Sequence, residues 1–229
     1  MAHNMDFNKG LYPGEPGYNE WTGFEKEMIK QKNRSKNAAI QDISDWKLVH
    51  EYTTATEFVG YDFLTADTQI SRWRKIKQED KVSYELVLNT TPFYAESGGQ
   101  IGDSGKLIGV NETIDILDTR KENDLYIHLV KVLPKKLNAM FKAEVDKAKR
   151  TLIENNHTAT HLLHAALRDV LGNHVQQRGS LVNHQSLRFD FSHFAKLSHK
   201  ELLEVEQQVN RKIRNNIPLV ERRLVPIEK

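Results

Sequence analysis

Cysteine is absent from all 229 residues. That excludes disulfides and thiolate ligands, so any transition-metal site within the chain must use His, Asp or Glu. It also fits a cytoplasmic protein. Long apolar runs are missing: nothing approaches the roughly 20 residues needed to cross a bilayer, and the opening MAHNMDFNKG has no apolar signal-peptide core. A soluble protein with no membrane partner is expected. Glycine and proline number only 12 and 6, which rules out collagen-like and low-complexity disordered classes. A net charge of +2 is too small by itself to argue for nucleic acid.

The charge is unevenly spread. From Asp146 onward 14 Lys and Arg face 9 Asp and Glu, so that part carries +5 and the part before it −3. The basic part is the candidate for an anionic partner.

Residues 6–20, DFNKGLYPGEPGYNE, are too rich in Gly and Pro for a helix, so 1–22 reads as a leader or linker. The run GFEKEMIKQKNRSKNAAIQ is rich in helix formers and predicts a lead-in helix within 23–46. Over 47–146 come short β-type runs, VSYELVL, ETIDILD, DLYIHLVKVL and LNAMFKAEV, separated by Gly, Pro, Asn or Asp. Tyr84, Leu86 and Leu88 alternate with Ser83, Glu85 and Val87, the pattern of a strand with one buried face. Several such strands predict a small antiparallel β-barrel, because closure removes exposed edges. From Thr151 the period turns helical. HTATHLLHAALRDVLG stops at Gly172, LRFDF reads as a strand, and LSHKELLEVEQQVNRKIRNNIP has capping-box spacing at Ser198 and Glu201 before Pro218. The fold class is α+β.

Seven of the ten histidines lie between His157 and His199. His157, His161 and His164 stand at spacings of four and three, on one face of a helix. Leu162, Leu163, Ala166, Leu167 and Val170 lie on the roughly opposite side. An H-x-x-x-H pair can bring two imidazole nitrogens onto one ion, although surface or helix-packing histidines have the same spacing. Thr158 follows the first histidine where a metallopeptidase needs Glu, so that chemistry is excluded. In NTTPFYAESGGQIGDSG, Gly98 and Gly99 permit positive φ and close backbone approach, while Tyr94, Glu96, Ser97, Gln100 and Asp103 bring polar groups to the bend. An ordinary glycine turn between barrel strands reads the same way.

In order along the chain, TPFYAESGGQIGDSG, NHTATHLLHAALRDVLGNHVQQRGSLV and LRFDFSHF resemble alanyl-tRNA synthetases. GFEKEMIKQKNRSKNAA resembles the stretch that leads into their barrel. The resemblance runs from Gly23 to Lys229. It implies a small β-barrel over 47–146 and, over 147–229, the first part of an α+β editing domain of the alanyl- and threonyl-tRNA synthetase type. Nothing here resembles the family's ATP-dependent aminoacylation domain, so this chain alone is not expected to activate alanine.

The implied substrate is tRNA for alanine mischarged with Ser or Gly, and the implied reaction is ester hydrolysis at the 3′ terminal ribose. The implied cofactor is zinc. His157 and His161 would be two of its four ligands, the other two lying in a C-x-x-x-H segment that this sequence does not reach. Zinc is therefore expected to bind weakly or not at all, and the isolated chain to be inactive. His164, His174, His184 and His193 are the available substitutes. By resemblance Thr160 faces a seryl hydroxyl, and Gln177 is a polar pocket residue. Arg168, Arg178 and Arg188, with Gly98, Gly99 and Gln100, are assigned to the tRNA. Two alternatives stay open: a free-standing trans-editing deacylase and a non-catalytic tRNA-binding module. An unfinished editing domain should also leave apolar surface uncovered, which predicts self-association.

Overall fold

The computed structural model describes residues 42–50, 55–78, 81–218 and 220. The leader and most of the lead-in helix lie outside them. Residues 42–46, expected to complete that helix, are not helical: Asp42–Ile43 form a short strand, β1, paired with the long strand described next. Asp, Ser and Asp at 42, 44 and 45 are poor helix formers that favour local turns.

The first part is built of antiparallel strands. The 14-residue β4 (Thr65–Gln78) pairs with β1, with β2 (Lys47–Leu48), with β5 (Lys81–Leu88) and with β10 (Met140–Val145). From β10 the pairing continues to β7 (Gly105–Ile108), β8 (Thr113–Glu122) and β9 (Leu125–Val130), then to β5 and back to β4. Each of these six strands is thus hydrogen-bonded along two sides. A bulge at Ile70/Arg72 bends β4, and Ser71 Oγ donates to the Val87 carbonyl at 3.0 Å there. The short β3 (Glu57–Phe58) and β6 (Thr90–Thr91) pair in parallel beside them. The β8–β9 hairpin turns through Asn123 and Asp124, both at positive φ, as a two-residue turn matched to strand twist requires.

Ile70, Leu86, Leu88, Phe93, Leu107, Ile114, Ile116, Val130, Phe141, Ala143 and Val145 form the core these strands enclose. Each large side chain among them contributes about 1.5–3 kcal/mol by leaving water. The simple alternation expected for β5 is not what the structure has. Glu85 and Val87 are buried along with Leu86 and Leu88. Arg74 Nε and Arg120 Nη2 reach Glu85 at 2.5 and 2.6 Å, so its charge leaves water only because it is paired.

Asp146 begins the second part by accepting from Lys149 N as the N-cap of α1 (Lys147–Leu171), four residues before the helical period becomes clear in the sequence. Gly172 caps the other end at φ 111°. The β11 (Gln177–Val182) and β12 (Leu187–Phe191) hairpin follows, then α2 (His199–Arg214). The Ser198–Glu201 capping box is formed. Ala166, Leu167, Val175 and Val205 make the second core, with Phe189 and Phe191 packed against it. Among the described residues no helix is long and apolar enough to cross a membrane.

Candidate functional site

The Gly-Gly-Gln loop is held from both ends. Tyr94 N donates to Asp103 Oδ2 at 2.7 Å and Asp103 N to the Tyr94 carbonyl at 2.9 Å, closing its base. At the tip, Ser97 and Gln100 exchange backbone hydrogen bonds of 3.1 and 3.0 Å around Gly98 at φ 59° and Gly99 at φ 86°. Two successive positive φ values make this a hairpin turn that Gly satisfies at no steric cost. Gly99 is needed for space as well, since a Cβ there would lie 2.3 Å from Ser180 Oγ.

That tip docks on β11. Val182 N donates to the Gly99 carbonyl at 2.7 Å, and Ile101 N to the Val182 carbonyl at 3.1 Å. Below it, Arg150 in the first turn of α1 is buried against Asp103, with Nε 3.0 Å from both carboxylate oxygens. Arg150 also donates to the Gly60 and Pro92 carbonyls at 2.9 and 3.1 Å. One loop therefore joins the strands of the first part to both the helix and the hairpin of the second.

Two turns along α1, His157 and His161 stack face to face, centroids 5.0 Å apart and planes 13° from parallel. Gln100 is 6% exposed, and its Oε1 lies 2.6 Å from His157 Nδ1. Burial, followed by the neighbouring His161, pushes the His157 pKa below its ordinary value, which favours the neutral imidazole that a metal requires.

His164 does not join this pair. It is half-buried, its ring centroid 5.1 Å from that of Phe189. His174 and His193 pair with each other at 2.9 Å, and Nδ1 of His184 is buried without a partner. Among the described residues no three or more His, Cys, Asp or Glu side chains gather as a group able to hold a metal. The donor chemistry of His157 and His161 fits zinc, but as two ligands of the four that a closed site uses.

Thr160 is buried, and its hydroxyl donates to the Asn156 carbonyl at 2.8 Å, the common local bond of a helical threonine. Gln177 is exposed on β11, with Nε2 3.2 Å from Ser180 Oγ. Arg168, Arg178 and Arg188 are all exposed, and Arg188 Nε lies 3.2 Å from Asp190. Gly98 is exposed and Gly99 half-buried. Gln100, grouped in the sequence with the tRNA contacts, is buried with its side chain against His157.

A family model described as tRNA synthetases class II (A) matches residues 16–149. The chain belongs to that family. Among curated relatives, the alanine–tRNA ligase of Cytophaga hutchinsonii is 55% identical over 206 residues, 90% of this chain and 23% of that protein. Those of Bacteroides fragilis and Bacteroides thetaiotaomicron are 54% and 53% identical over 205 residues, again 90% of this chain and 23% of theirs. The chain thus spans about a quarter of the length of the curated relatives it matches. A match of 206 in 229 residues leaves 23 outside, so it includes both Gln100 and His157 wherever it begins.

For this class II chain, sequence reasoning singled out the turn and the histidines separately. It missed Arg150, whose place one helical turn after a cap gives no sign of a partner 47 residues earlier. It also missed Asn156, whose Nδ2 donates to the Asn183 carbonyl at 2.8 Å and ties α1 to the end of β11.

Proposed function

We propose that this chain is part of an alanine–tRNA ligase and contributes half of the centre that hydrolyses tRNA for alanine mischarged with serine or glycine. The observation that carries this is the meeting of Gln100, at the tip of the Gly-Gly-Gln turn, with the His157–His161 pair. The closed pairing of six strands is, in this reading, the small barrel, over 47–146. The residues from 147 onward are the N-terminal part of the editing domain.

Such a centre answers a physical limit. One methylene separates alanine from glycine and is worth only about 1–3 kcal/mol in discrimination, and a small pocket rejects an added hydroxyl poorly. A second, hydrolytic step supplies what binding lacks. His157 and His161 would hold zinc through neutral imidazole nitrogens, as two of its ligands. Bound zinc supplies Lewis acidity, polarising an oxygen or lowering the pKa of a water towards about 7. The Thr160 hydroxyl, already donating to Asn156, keeps lone pairs with which to accept from a seryl hydroxyl. Gln177 offers an amide on the neighbouring strand. Arg168, Arg178 and Arg188 contact tRNA phosphates, which fixes register without reading sequence.

A chimera provides the test: the matched stretch of the Cytophaga hutchinsonii ligase replaced by this chain. It should hydrolyse seryl-tRNA, and His157→Ala with His161→Ala should abolish hydrolysis while ATP-dependent alanine charging persists. Hydrolysis unaffected by both substitutions would refute the reading. The two-ligand donor set favours a second reading, a tRNA-binding module without catalysis. It predicts salt-dependent tRNA binding, indifferent to both histidines, and no hydrolysis in the chimera.

A further inference from the structure

We infer that Gln100 is a positioning residue for the metal-binding imidazole of His157, fixing its tautomer and ring orientation from the opposite part of the molecule. The inference rests on the zinc reading above. With the amide oxygen 2.6 Å from Nδ1, the imidazole is the donor, because a carbonyl oxygen can only accept. A neutral ring that carries its proton on Nδ1 has an unprotonated Nε2, the nitrogen left to bind a metal. Turning the ring over would set a carbon against Oε1 and forfeit the bond.

Gln100 is itself held firmly enough to impose this. Its backbone closes the two-residue turn with Ser97, the next residue bonds to Val182, and its side chain is buried. His161 is exposed and, among the described residues, has no comparable hydrogen bond; it stacks on His157. The two imidazoles are therefore unequal: one is oriented by the strands of the first part, and the other is free to adjust to an ion. An outer partner of this kind, a neutral acceptor on the far nitrogen, typically changes metal affinity 10–100-fold. The Gly-Gly turn gains a role through it, because the turn's conformation determines where Oε1 stands.

The test uses the chain itself, labelled with ¹⁵N-histidine and free of metal, under mildly alkaline conditions where free imidazoles are neutral. Long-range ¹H–¹⁵N correlation should find His157 with its proton on Nδ1. Gln100→Leu should move that proton to Nε2 or mix the two forms, leaving His161 unchanged. Gln100→Glu, which can only accept, should keep the Nδ1 form. Backbone amide spectra of both variants establish that they are folded. A proton on Nε2 in the unsubstituted chain, no change in Gln100→Leu, or loss of the Nδ1 form in Gln100→Glu each overturns the inference.

Adding Zn²⁺ separates the two ideas. Zn²⁺ should shift Nε2 of His157, with affinity lower by about 10–100-fold in Gln100→Leu. Equal affinity in both proteins overturns the positioning role. A correct tautomer pattern with Zn²⁺ binding that is unchanged by His157→Ala and His161→Ala refutes the metal reading and leaves the hold of Gln100 on His157 standing.

Discussion

Asp103 and Arg150 form a buried ion pair that fastens the base of the Gly-Gly-Gln loop to the first turn of the histidine helix. Each also bonds to backbone: Asp103 accepts from Tyr94 N, and Arg150 donates to Gly60 and Pro92. Neither charge has water to return to if the other is lost. Asp103→Asn should therefore cost about 3–5 kcal/mol, the usual penalty for removing one member of a buried pair, with the exposed Glu154 at 3.7 Å left as a weaker partner for Arg150. Replacing both with apolar residues should cost less than the two single losses summed. Urea denaturation of the three variants measures this, and additive losses would argue against coupling.

The two glycines of the turn make different demands. Gly98→Ala meets open space and bears only the left-handed backbone cost, about 1–2 kcal/mol. Gly99→Ala bears the same cost and also drives a methyl into Ser180. Thermal denaturation should rank Gly99→Ala clearly the less stable of the two. Equal melting temperatures would mean that the loop tip does not dock on β11.

His128 predicts a pH dependence. Its Nδ1–H donates to the Leu86 carbonyl at 3.2 Å, and its Nε2 accepts from the Thr91 hydroxyl at 2.8 Å. Burial, only partly offset by the bond to Leu86, lowers its pKa to about 4. Below an unfolded value of about 6.5 the unfolded chain takes up a proton that the folded chain refuses. Stability from this group is complete above that value and falls as pH drops towards 4, by up to about 3 kcal/mol. Denaturation midpoints for His128→Gln should lose this part of the slope between those pH values. An unchanged slope would contradict the assignment.

Ser198 and Glu201 form a reciprocal cap on α2, with Ser198 N donating to Glu201 Oε2 at 2.7 Å and Glu201 N to Ser198 Oγ at 3.3 Å. Ser198→Ala should cost about 1 kcal/mol. Chemical denaturation checks this, and a loss below a few tenths would mean that the cap contributes nothing.

What was legible in the sequence had a local cause. The strands around β5, β8, β9 and β10 announce themselves by β-branched and aromatic runs, and α1 and α2 by period, cap and stop. The long β4 was not read, because TADTQISRWRKIKQ puts charges where a strand signal needs apolar residues. In the structure Arg74 sits over the Trp46 ring and beside Glu85, so partners distant in sequence make that charge tolerable. The site was legible by halves for the same reason. The spacing of His157 and His161 fixes a shared helix face, and Gly98-Gly99 fixes a turn. That Gln100 reaches His157 depends on how α1 packs across the loop, set by the Asp103–Arg150 pair. His164 lies on the same helical face by spacing, yet it turns to Phe189 because the β11–β12 hairpin covers that end of the helix.

Calorimetric titration of the metal-free chain with Zn²⁺ tests the histidine pair most directly. The account predicts weak binding of one ion that disappears in His157→Ala and in His161→Ala. Tight binding that survives both substitutions would contradict it.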